Sequence, residues 1–197
     1  MPRVSHYLRA IAGRLNARRF GASGTIPSGS IVRGGDRVQF GTGFYASGPI
    51  WIEAVTEYAG AEHTPRITLG NNVRTSPRLH ISAIVDVTVG DWCLFGENVF
   101  IADHQHGATT GELQSPPDTP PALRPLAGGR PVLIDERCHL GNNVVVLPGA
   151  HIGAGSIIGA NAVVAGTIPE NSIAAGAPAR VIKRWDSTTN SWASVPR

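Results

Sequence analysis

The clearest pattern in the chain is an aliphatic residue at every sixth position between Ile134 and Ala165. The series consists of Ile134, Leu140, Val146, Ile152, Ile158 and Val164. A small or acidic residue directly follows most of these aliphatic residues, and a small or β-branched residue usually comes four positions after each of them. A period of six fits neither a helix nor simple strand alternation, and it is typical of a parallel β-helix. We expect the aliphatic side chains to fill a narrow prism, with glycine at corners that need a positive φ.

The same spacing runs through the first half of the chain, with three interruptions. It begins with Ile26, Val32, Val38, Phe44 and Ile50 and resumes at Leu69 after a stretch, 53–66, that is predicted to be an exposed loop. The phase then shifts by two residues, which predicts an insertion at a corner near 83–85. Residues 104–130 abandon the pattern and contain five prolines, so they are predicted to form a long loop of the kind that is often functional.

The remaining segments complete a one-domain organisation. Val4, Leu8, Ile11 and Leu15 share one face of a predicted helix over residues 1–20, which we expect to cover the first coil or to lie on an anionic membrane surface. We assign residues 1–25 to a helical cap, 26–173 to a β-helix of roughly seven coils with loop 104–130 inserted, and 174–197 to a C-terminal segment. A mobile polar tail is expected from Asp186 onward.

Composition narrows the functional classes. Of the 197 residues, 16% are charged and 24 are glycine, and the net charge is +3. The chain has no broad basic stripe with interleaved aromatic residues, so nucleic acid is not an expected partner. Cys93 and Cys138 occupy equivalent places and are expected to be core residues. No apolar run is long enough for a membrane span and the N-terminus lacks a secretory signal, so the cytoplasm is the expected compartment.

Candidate chemistry is concentrated where the last regular strand before the long loop ends. His104 and His106 lie at this junction, and a neutral imidazole there could act as a general base. Asp86 lies eighteen residues before His104, so we expect its carboxylate to orient the ring or to bind a substrate hydroxyl. Asp103 should point to the opposite side of the strand because strand side chains alternate. The other histidines show no compact metal-ligand spacing, and no metal is expected.

These features together resemble the hexapeptide-repeat acyltransferases, in the branch of sugar and polysaccharide O-acetyltransferases related to the maltose and galactoside acetyltransferases. The resemblance rests on the repeats, the junction Asp103–Gly107, the segment PPALRPL at 120–126 and the ending AAGAPARVIK at 174–183. It implies an all-β, left-handed parallel β-helix that assembles as a homotrimer and binds acetyl-CoA between neighbouring prisms. It also implies that His104, or His106 as the second choice, is the base.

The resemblance further implies where the two substrates bind. Arg180 and Lys183 match basic residues that meet CoA phosphates, and Ala160 matches a position that meets the pantetheine arm. Many relatives have Thr-Lys at Ala165–Gly166, so one cofactor contact differs here. On the acceptor side, the resemblance points to the Asp86 position and to the region of Ser76 and Arg78, where some relatives use Asn.

The predicted reaction is direct transfer of an acetyl group to a hydroxyl of a sugar or of a polysaccharide precursor. Three other functions stay open at this point. An N-acetyltransferase for an amino sugar, or a serine-type acyltransferase, would use the same base and cofactor. A γ-type carbonic anhydrase would hold zinc between subunits on the same fold, and a non-catalytic solenoid would bind no CoA.

Overall fold

The computed structural model describes residues 2–112 and 114–196, which wind into a left-handed β-helix with three parallel sheets. Sheet 1 contains the parallel strands Ser23–Thr25, Thr42–Ala46, Arg74–Thr75, Leu94–Phe95, His139–Leu140, Ile157–Ile158 and Ser172–Ala175. Sheet 2 contains Ile31–Arg33, Trp51–Ala54, His80–Ala83, Phe100–Ala102, Val145–Val146 and Val163–Val164. Sheet 3 contains Val38–Phe40, Arg66–Leu69, Asp86–Val89, Val132–Ile134, His151–Ile152 and Thr167–Ile168. Each turn of the chain therefore adds one strand to each sheet, and the predicted fold is confirmed.

The six-residue period exists because each short strand directs one side chain into the prism. Ile134 pairs in register with Ile152, and Ile152 pairs with Ile168 one turn further on. These inward residues are buried, whereas the residue before each one faces outward. A fully buried aliphatic side chain of this kind stabilises the fold by about 1.5–3 kcal/mol. The stacked aliphatic columns therefore set both the register and the stability of the coil.

The glycines that directly follow the aliphatic residues serve close packing, whereas the glycines with the positive φ predicted for corners lie elsewhere in the repeat. A Cβ atom added to Gly141 would lie 2.7 Å from the backbone nitrogen of Ala160 in the next turn, while the φ of Gly141 lies outside the left-handed region. The left-handed corners are occupied by glycine, including Gly149 and Gly155, and by asparagine, including Asn98, Asn143 and Asn161. The asparagine side chains form a ladder, because Asn98 donates to Asn143 and Asn143 donates to Asn161, both at 3.0 Å.

An N-terminal helix, Pro2–Arg19, covers the first turn, but through a different face from the predicted one. Gly13 and Ala17 are buried against the coil, and Asn16 donates from Nδ2 to the carbonyl oxygens of Ile26 and Pro27. Ile11 and Leu15 are 42% and 56% exposed. Small side chains allow the helix to approach the coil more closely than the apolar face would. The side chains of Val4 and Leu8 lie outside the described part of the chain.

The C-terminal residues form ordered strands, so the expected mobile tail from Asp186 is wrong. Strand Arg180–Asp186 runs antiparallel to Ser172–Ala175, and Ser191–Ser194 extends the same sheet. The rings of Trp185 and Trp192 pack edge to face with centroids 5.4 Å apart. This hairpin covers the last open edge of sheet 1, which explains why a polar stretch is ordered.

Two further excursions leave the coil. Residues 53–66 contain a hairpin of Glu57–Tyr58 and Ala61–Glu62. The long loop contains a 3₁₀ helix, Pro121–Leu123, and is closed at its base by pairing of Gln105–His106 with Leu126–Ala127. A second 3₁₀ helix, Gly35–Arg37, lies at an early corner. In the described residues sheet 1 contains seven parallel strands and sheets 2 and 3 contain six each, which agrees with the roughly seven turns predicted.

The close approach at Gly141 makes a prediction about stability. The substitution Gly141→Ala should lower the free energy of unfolding by about 1–3 kcal/mol, because its Cβ would collide with the backbone of the next turn. Gly166→Ala is the matched control, since a Cβ there meets nothing within 4 Å. The control should be neutral or slightly stabilising, by up to about 1 kcal/mol. Urea unfolding at a fixed protein concentration measures both, and equal losses would contradict the close-packing explanation.

Candidate active site

The centre of the candidate site is the buried carboxylate of Asp103, which follows the strand Phe100–Ala102. Three consecutive backbone N–H groups donate to it: Ile84 to Oδ1 at 2.9 Å, and Val85 and Asp86 to Oδ2, each at 2.8 Å. Residues 84–86, called the amide corner below, lie where the sequence predicted a two-residue insertion. An ionised carboxylate only accepts hydrogen bonds, so these donors suit it and offset the cost of its burial.

His104 completes the arrangement on the other side of Asp103. Its Nδ1 lies 2.9 Å from Asp103 Oδ1, and its Nε2 lies 3.4 Å from the hydroxyl oxygen of Ser82. Only 8% of the His104 side chain is exposed. Because Nδ1–H donates to the carboxylate, the lone pair of the neutral ring lies on Nε2. His104 is therefore held rigidly, with a proton-accepting nitrogen directed at a hydroxyl group.

The prediction that Asp86 orients His104 is wrong. The Asp86 carboxylate lies on sheet 3, where Arg66 Nε donates to it at 3.0 Å and Thr88 Oγ1 donates at 2.8 Å. Asp86 contributes to the site through its backbone N–H, as part of the amide corner. The prediction that the Asp103 side chain points away from His104 is also wrong. It assumed the alternation of a continuous strand, but the strand ends at Ala102 and the chain turns there. Binding of an acceptor hydroxyl by Asp86 stays a prediction.

His106 is exposed and belongs to a different contact. Its ring packs edge to face on Tyr58, with centroids 5.1 Å apart, and Tyr58 Oη donates to the carbonyl oxygen of Ala122 at 3.0 Å. The early hairpin thereby contacts the long loop at two points. In the described residues, no hydrogen bond joins the His106 ring to a carboxylate, whereas the His104 ring contacts Asp103. The structure therefore supplies His104, rather than His106, with the surroundings of a general base.

Another histidine, His80, lies on the outer face of sheet 2 near His104. Its ring stacks on Trp51 at a centroid distance of 4.7 Å and an interplanar angle of 12°. Burial lowers the pKa of His80 below its ordinary value; the nearby Glu53 carboxylate opposes this shift and His104 adds to it. At neutral pH His80 is therefore an uncharged, aromatic surface beside the candidate base. No sequence signal singled out Trp51, Ser82 or His80 as part of the site.

The residues predicted to bind the cofactor are divided between the two edges of sheet 2 and the outer face of sheet 1. Gly166 follows the strand Val163–Val164 and lies along the same edge as His104. Ala160 and Arg180 lie at the opposite edge, and Lys183 is exposed on sheet 1, in register with Ile173. A groove of about 520 Å³ lies at the base of the long loop, lined by Gln105, Gly128, Arg130, Leu147 and Ala165 among others. One chain does not bring the four predicted residues into one pocket.

The predicted acceptor residues Ser76 and Arg78 are also distant from His104 within one chain. They lie at the corner before the strand His80–Ala83, whereas His104 lies beyond the end of its neighbour, Phe100–Ala102. Arg78 has a φ of 62° and forms an ion pair of 2.9 Å with Glu97. The role of Ser76 and Arg78 as acceptor ligands stays a prediction.

Comparison with known proteins confirms the class that the repeats indicate. Residues 131–166 match the family model described as bacterial transferase hexapeptide (six repeats). The resemblance to the hexapeptide-repeat acyltransferases is thus confirmed, and the segment that carries the most regular hexads is the one that matches.

The curated relatives are named as acetyltransferases. The chain is 43% identical over 127 residues to the "Putative lipopolysaccharide biosynthesis O-acetyl transferase WbbJ" of Escherichia coli (strain K12), covering 64% of each chain. It is 30% identical over 138 residues to the galactoside O-acetyltransferase of the same organism, covering 68% of this chain and 60% of the relative. The chain thus spans a little under two thirds of the length of these relatives.

A solved structure shares the fold at low identity. A variant of AntD, an N-acyltransferase from Bacillus cereus, crystallised with dTDP-4-amino-4,6-dideoxyglucose and coenzyme A, superposes with a TM-score of 0.65 and 15% identity. The match covers 89% of this chain and 90% of that chain. At this identity the comparison establishes the left-handed β-helix and nothing further.

Two other observations bear on the open alternatives. Within residues 2–112 and 114–196 of one chain, no three His, Cys, Asp or Glu side chains converge as a metal site would require. A zinc site shared between subunits, as in a γ-type carbonic anhydrase, is decided by metal analysis of the purified protein. In the same residues, no helix combines the length and the apolarity needed to cross a bilayer.

The Asp103–His104 contact predicts the tautomer of the ring. In protein labelled with ¹⁵N-histidine, His104 should have the proton on Nδ1 at neutral pH. Asp103→Asn should alter the position of this proton. A carboxylate has two acceptor oxygens, but an amide has only one, so the substituted side chain cannot accept from both the amide corner and the His104 ring. Asp86→Asn is the matched control and should leave the His104 signals unchanged. A change in the control as large as in Asp103→Asn would restore Asp86 as the partner.

Proposed function

We propose that the protein is an acetyl-CoA-dependent O-acetyltransferase that acts on a hydroxyl of a sugar or of a cell-surface polysaccharide precursor. The observation that carries the proposal is the Asp103–His104 pair with its free Nε2 lone pair directed at a hydroxyl group. The hexapeptide repeats and the names of the relatives support acetyl-CoA as the donor. Both relatives are named as O-acetyltransferases, the first of them as "Putative", which favours oxygen over nitrogen as the attacking atom.

In the proposed mechanism, His104 acts as the general base and Asp103 positions it. An acceptor hydroxyl binds at Nε2, near the place that the Ser82 hydroxyl now contacts. His104 takes its proton as the oxygen attacks the thioester carbonyl, and the imidazolium is stabilised by the Asp103 carboxylate. Collapse of the tetrahedral intermediate breaks the C–S bond, and His104 returns the proton to the leaving thiolate. A backbone N–H that faces the cofactor groove would stabilise the oxyanion.

The proposed assembly is a homotrimer with acetyl-CoA between neighbouring prisms. Gly166 lies at one edge of sheet 2, whereas Ala160 and Arg180 lie at the opposite edge. This separation supports a trimer, because a second copy of the chain is needed to bring residues from the two edges to one cofactor. A cytoplasmic location is part of the proposal, because acetyl-CoA is the donor. Peripheral contact with an anionic membrane through residues 1–20 also stays a prediction; the exposed Ile11 and Leu15 beside Arg14 and Arg18 support it.

The test of the mechanism is substitution of the histidines. His104→Ala should lower kcat by about 10²–10⁴-fold, the usual contribution of a general base, while acetyl-CoA still binds. His139→Ala, an exposed histidine on sheet 1, is the matched control and should retain activity. Release of the CoA thiol with methyl glycosides and amino sugars as acceptors measures turnover, and titration calorimetry measures acetyl-CoA binding.

Several outcomes would change the proposal. Near-wild-type turnover of His104→Ala, or a larger loss in His106→Ala, would contradict His104 as the base. Turnover with amino sugars alone would replace oxygen by nitrogen as the acceptor atom. Failure of the wild-type protein to bind acetyl-CoA at millimolar concentration would remove the acyltransferase proposal.

A further inference from the structure

The outer face of sheet 2 carries an unassigned set of side chains that begins at the candidate base and runs toward the N-terminal turns. Strand register places Glu53 beside Ser82, and Arg33 beside Glu53, on three successive strands. These three residues, called the polar column below, start at the hydroxyl that contacts His104 Nε2. In a second column, Trp51 is in register with His80.

The polar column and its aromatic neighbour form one connected surface. Trp51 Nε1 donates to Glu53 Oε2 at 2.9 Å, and Arg33 Nη1 donates to Glu53 Oε1 at 3.3 Å. The Trp51 indole is also fixed by its stacking on His80. Trp51 is nevertheless 40% exposed, and the Arg33 side chain is 61% exposed. The surface is therefore oriented by its internal contacts but open to a ligand.

This combination of groups fits a carbohydrate. A pyranose ring has an apolar C–H face, which packs on an aromatic surface such as Trp51, and a rim of hydroxyl groups. A carboxylate offers about four lone-pair positions, and the Glu53 carboxylate uses two of them in its contacts with Trp51 and Arg33. The guanidinium of Arg33 has further N–H donors for sugar oxygens. One carboxylate and one guanidinium balance each other, so a neutral sugar suits the surface better than a charged one.

The spacing and direction of the column also fit a chain of sugars. Neighbouring strands lie about 4.8 Å apart, so Glu53 and Arg33 lie roughly 5 and 10 Å from the position of Ser82. The spacing between neighbouring strands is comparable to the length of one pyranose unit, so successive sugars could lie over successive strands. The column extends from His104 toward the N-terminal turns, whereas Gly166, on the proposed cofactor side, lies in the opposite direction along sheet 2.

We propose that Trp51, Glu53 and Arg33 form a binding subsite for the sugar units that adjoin the acetylated one. The preferred acceptor is then an oligosaccharide or glycan chain rather than a free monosaccharide. This inference rests on the proposed function, because it takes the hydroxyl at His104 as the starting point. It adds the length of the acceptor and the residues that recognise it.

The experiment compares acceptors of increasing length. The probes are methyl β-galactoside, β-1,4-galactobiose and β-1,4-galactotriose, with the corresponding glucose series, each at saturating acetyl-CoA with thiol release as the readout. For wild type, kcat/KM should rise by about tenfold or more from one ring to three, which corresponds to about 1.4 kcal/mol. Trp51→Ala and Glu53→Gln should remove most of that gain by raising KM for the longer probes, so that the three-ring and one-ring probes have similar values of kcat/KM.

Matched controls separate the subsite from general damage. Trp92→Ala removes another exposed tryptophan at a corner away from sheet 2, and Glu136→Gln alters a surface glutamate that also pairs with an arginine, Arg137. Both should keep the dependence of kcat/KM on acceptor length. Light scattering of Trp51→Ala checks the assembly, which should be unchanged.

Several results would overturn the inference. One is equal kcat/KM for all probe lengths in the wild type, and another is an equal loss in the controls. Dissociation of the assembly in Trp51→Ala would assign this face to a contact between copies of the chain. If the wild type binds acetyl-CoA but acetylates no probe of any length, the subsite is wrong while the cofactor half of the proposed function stands. If acetyl-CoA does not bind, the proposed function fails and this inference fails with it.

Discussion

The candidate site depends on one buried group, the carboxylate of Asp103. Its oxygens accept the three N–H groups of the amide corner and the Nδ1–H of His104. Its backbone carbonyl oxygen accepts from Arg130 N at 3.1 Å, which closes the base of the long loop. A buried N–H without a partner costs about 1–3 kcal/mol, so removal of this carboxylate would affect the corner as well as the histidine. One residue therefore joins a corner of the coil, the base and the loop.

The regular coil gives this arrangement its rigidity. Strand pairing stacks identical positions of successive turns, so side chains on the outer face of sheet 2 form straight columns with a fixed spacing. His104 lies between two such regions: the polar column on the N-terminal side and the edge that carries Gly166 on the C-terminal side. An acceptor and a donor that approach from opposite directions would meet at His104. Positioning of this kind lowers a barrier without any movement of the fold, because the reacting groups are held close in advance.

The sequence predicted the coil well because its aliphatic period follows directly from strand geometry. Burial of the same positions in each six-residue repeat needs no knowledge of distant contacts, and the break at 104–130 and the shift near 83–85 were equally visible. The partner of His104 was missed, because the amide corner and Asp103 meet only after a full turn of the coil. The insertion near 83–85 was the sequence signal for this contact. Extra residues at a corner have backbone N–H groups that do not pair within a sheet and are therefore available to a carboxylate. The buried face of the N-terminal helix and the ordered C-terminal strands were missed for a similar reason. Both depend on which ends and edges of the folded coil remain exposed for these segments to cover.

The central claim is that Asp103 binds all three N–H groups of the amide corner, and amide hydrogen exchange tests it most directly. The N–H groups of Ile84, Val85 and Asp86 lie at a surface corner, where unbonded amides exchange rapidly. The structure predicts slow exchange for all three in the wild-type protein and rapid exchange in Asp103→Ala, with the strand amides of sheet 2 unchanged. Rapid exchange at the corner of the wild-type protein, or no difference on removal of the carboxylate, would contradict this account of how His104 is held.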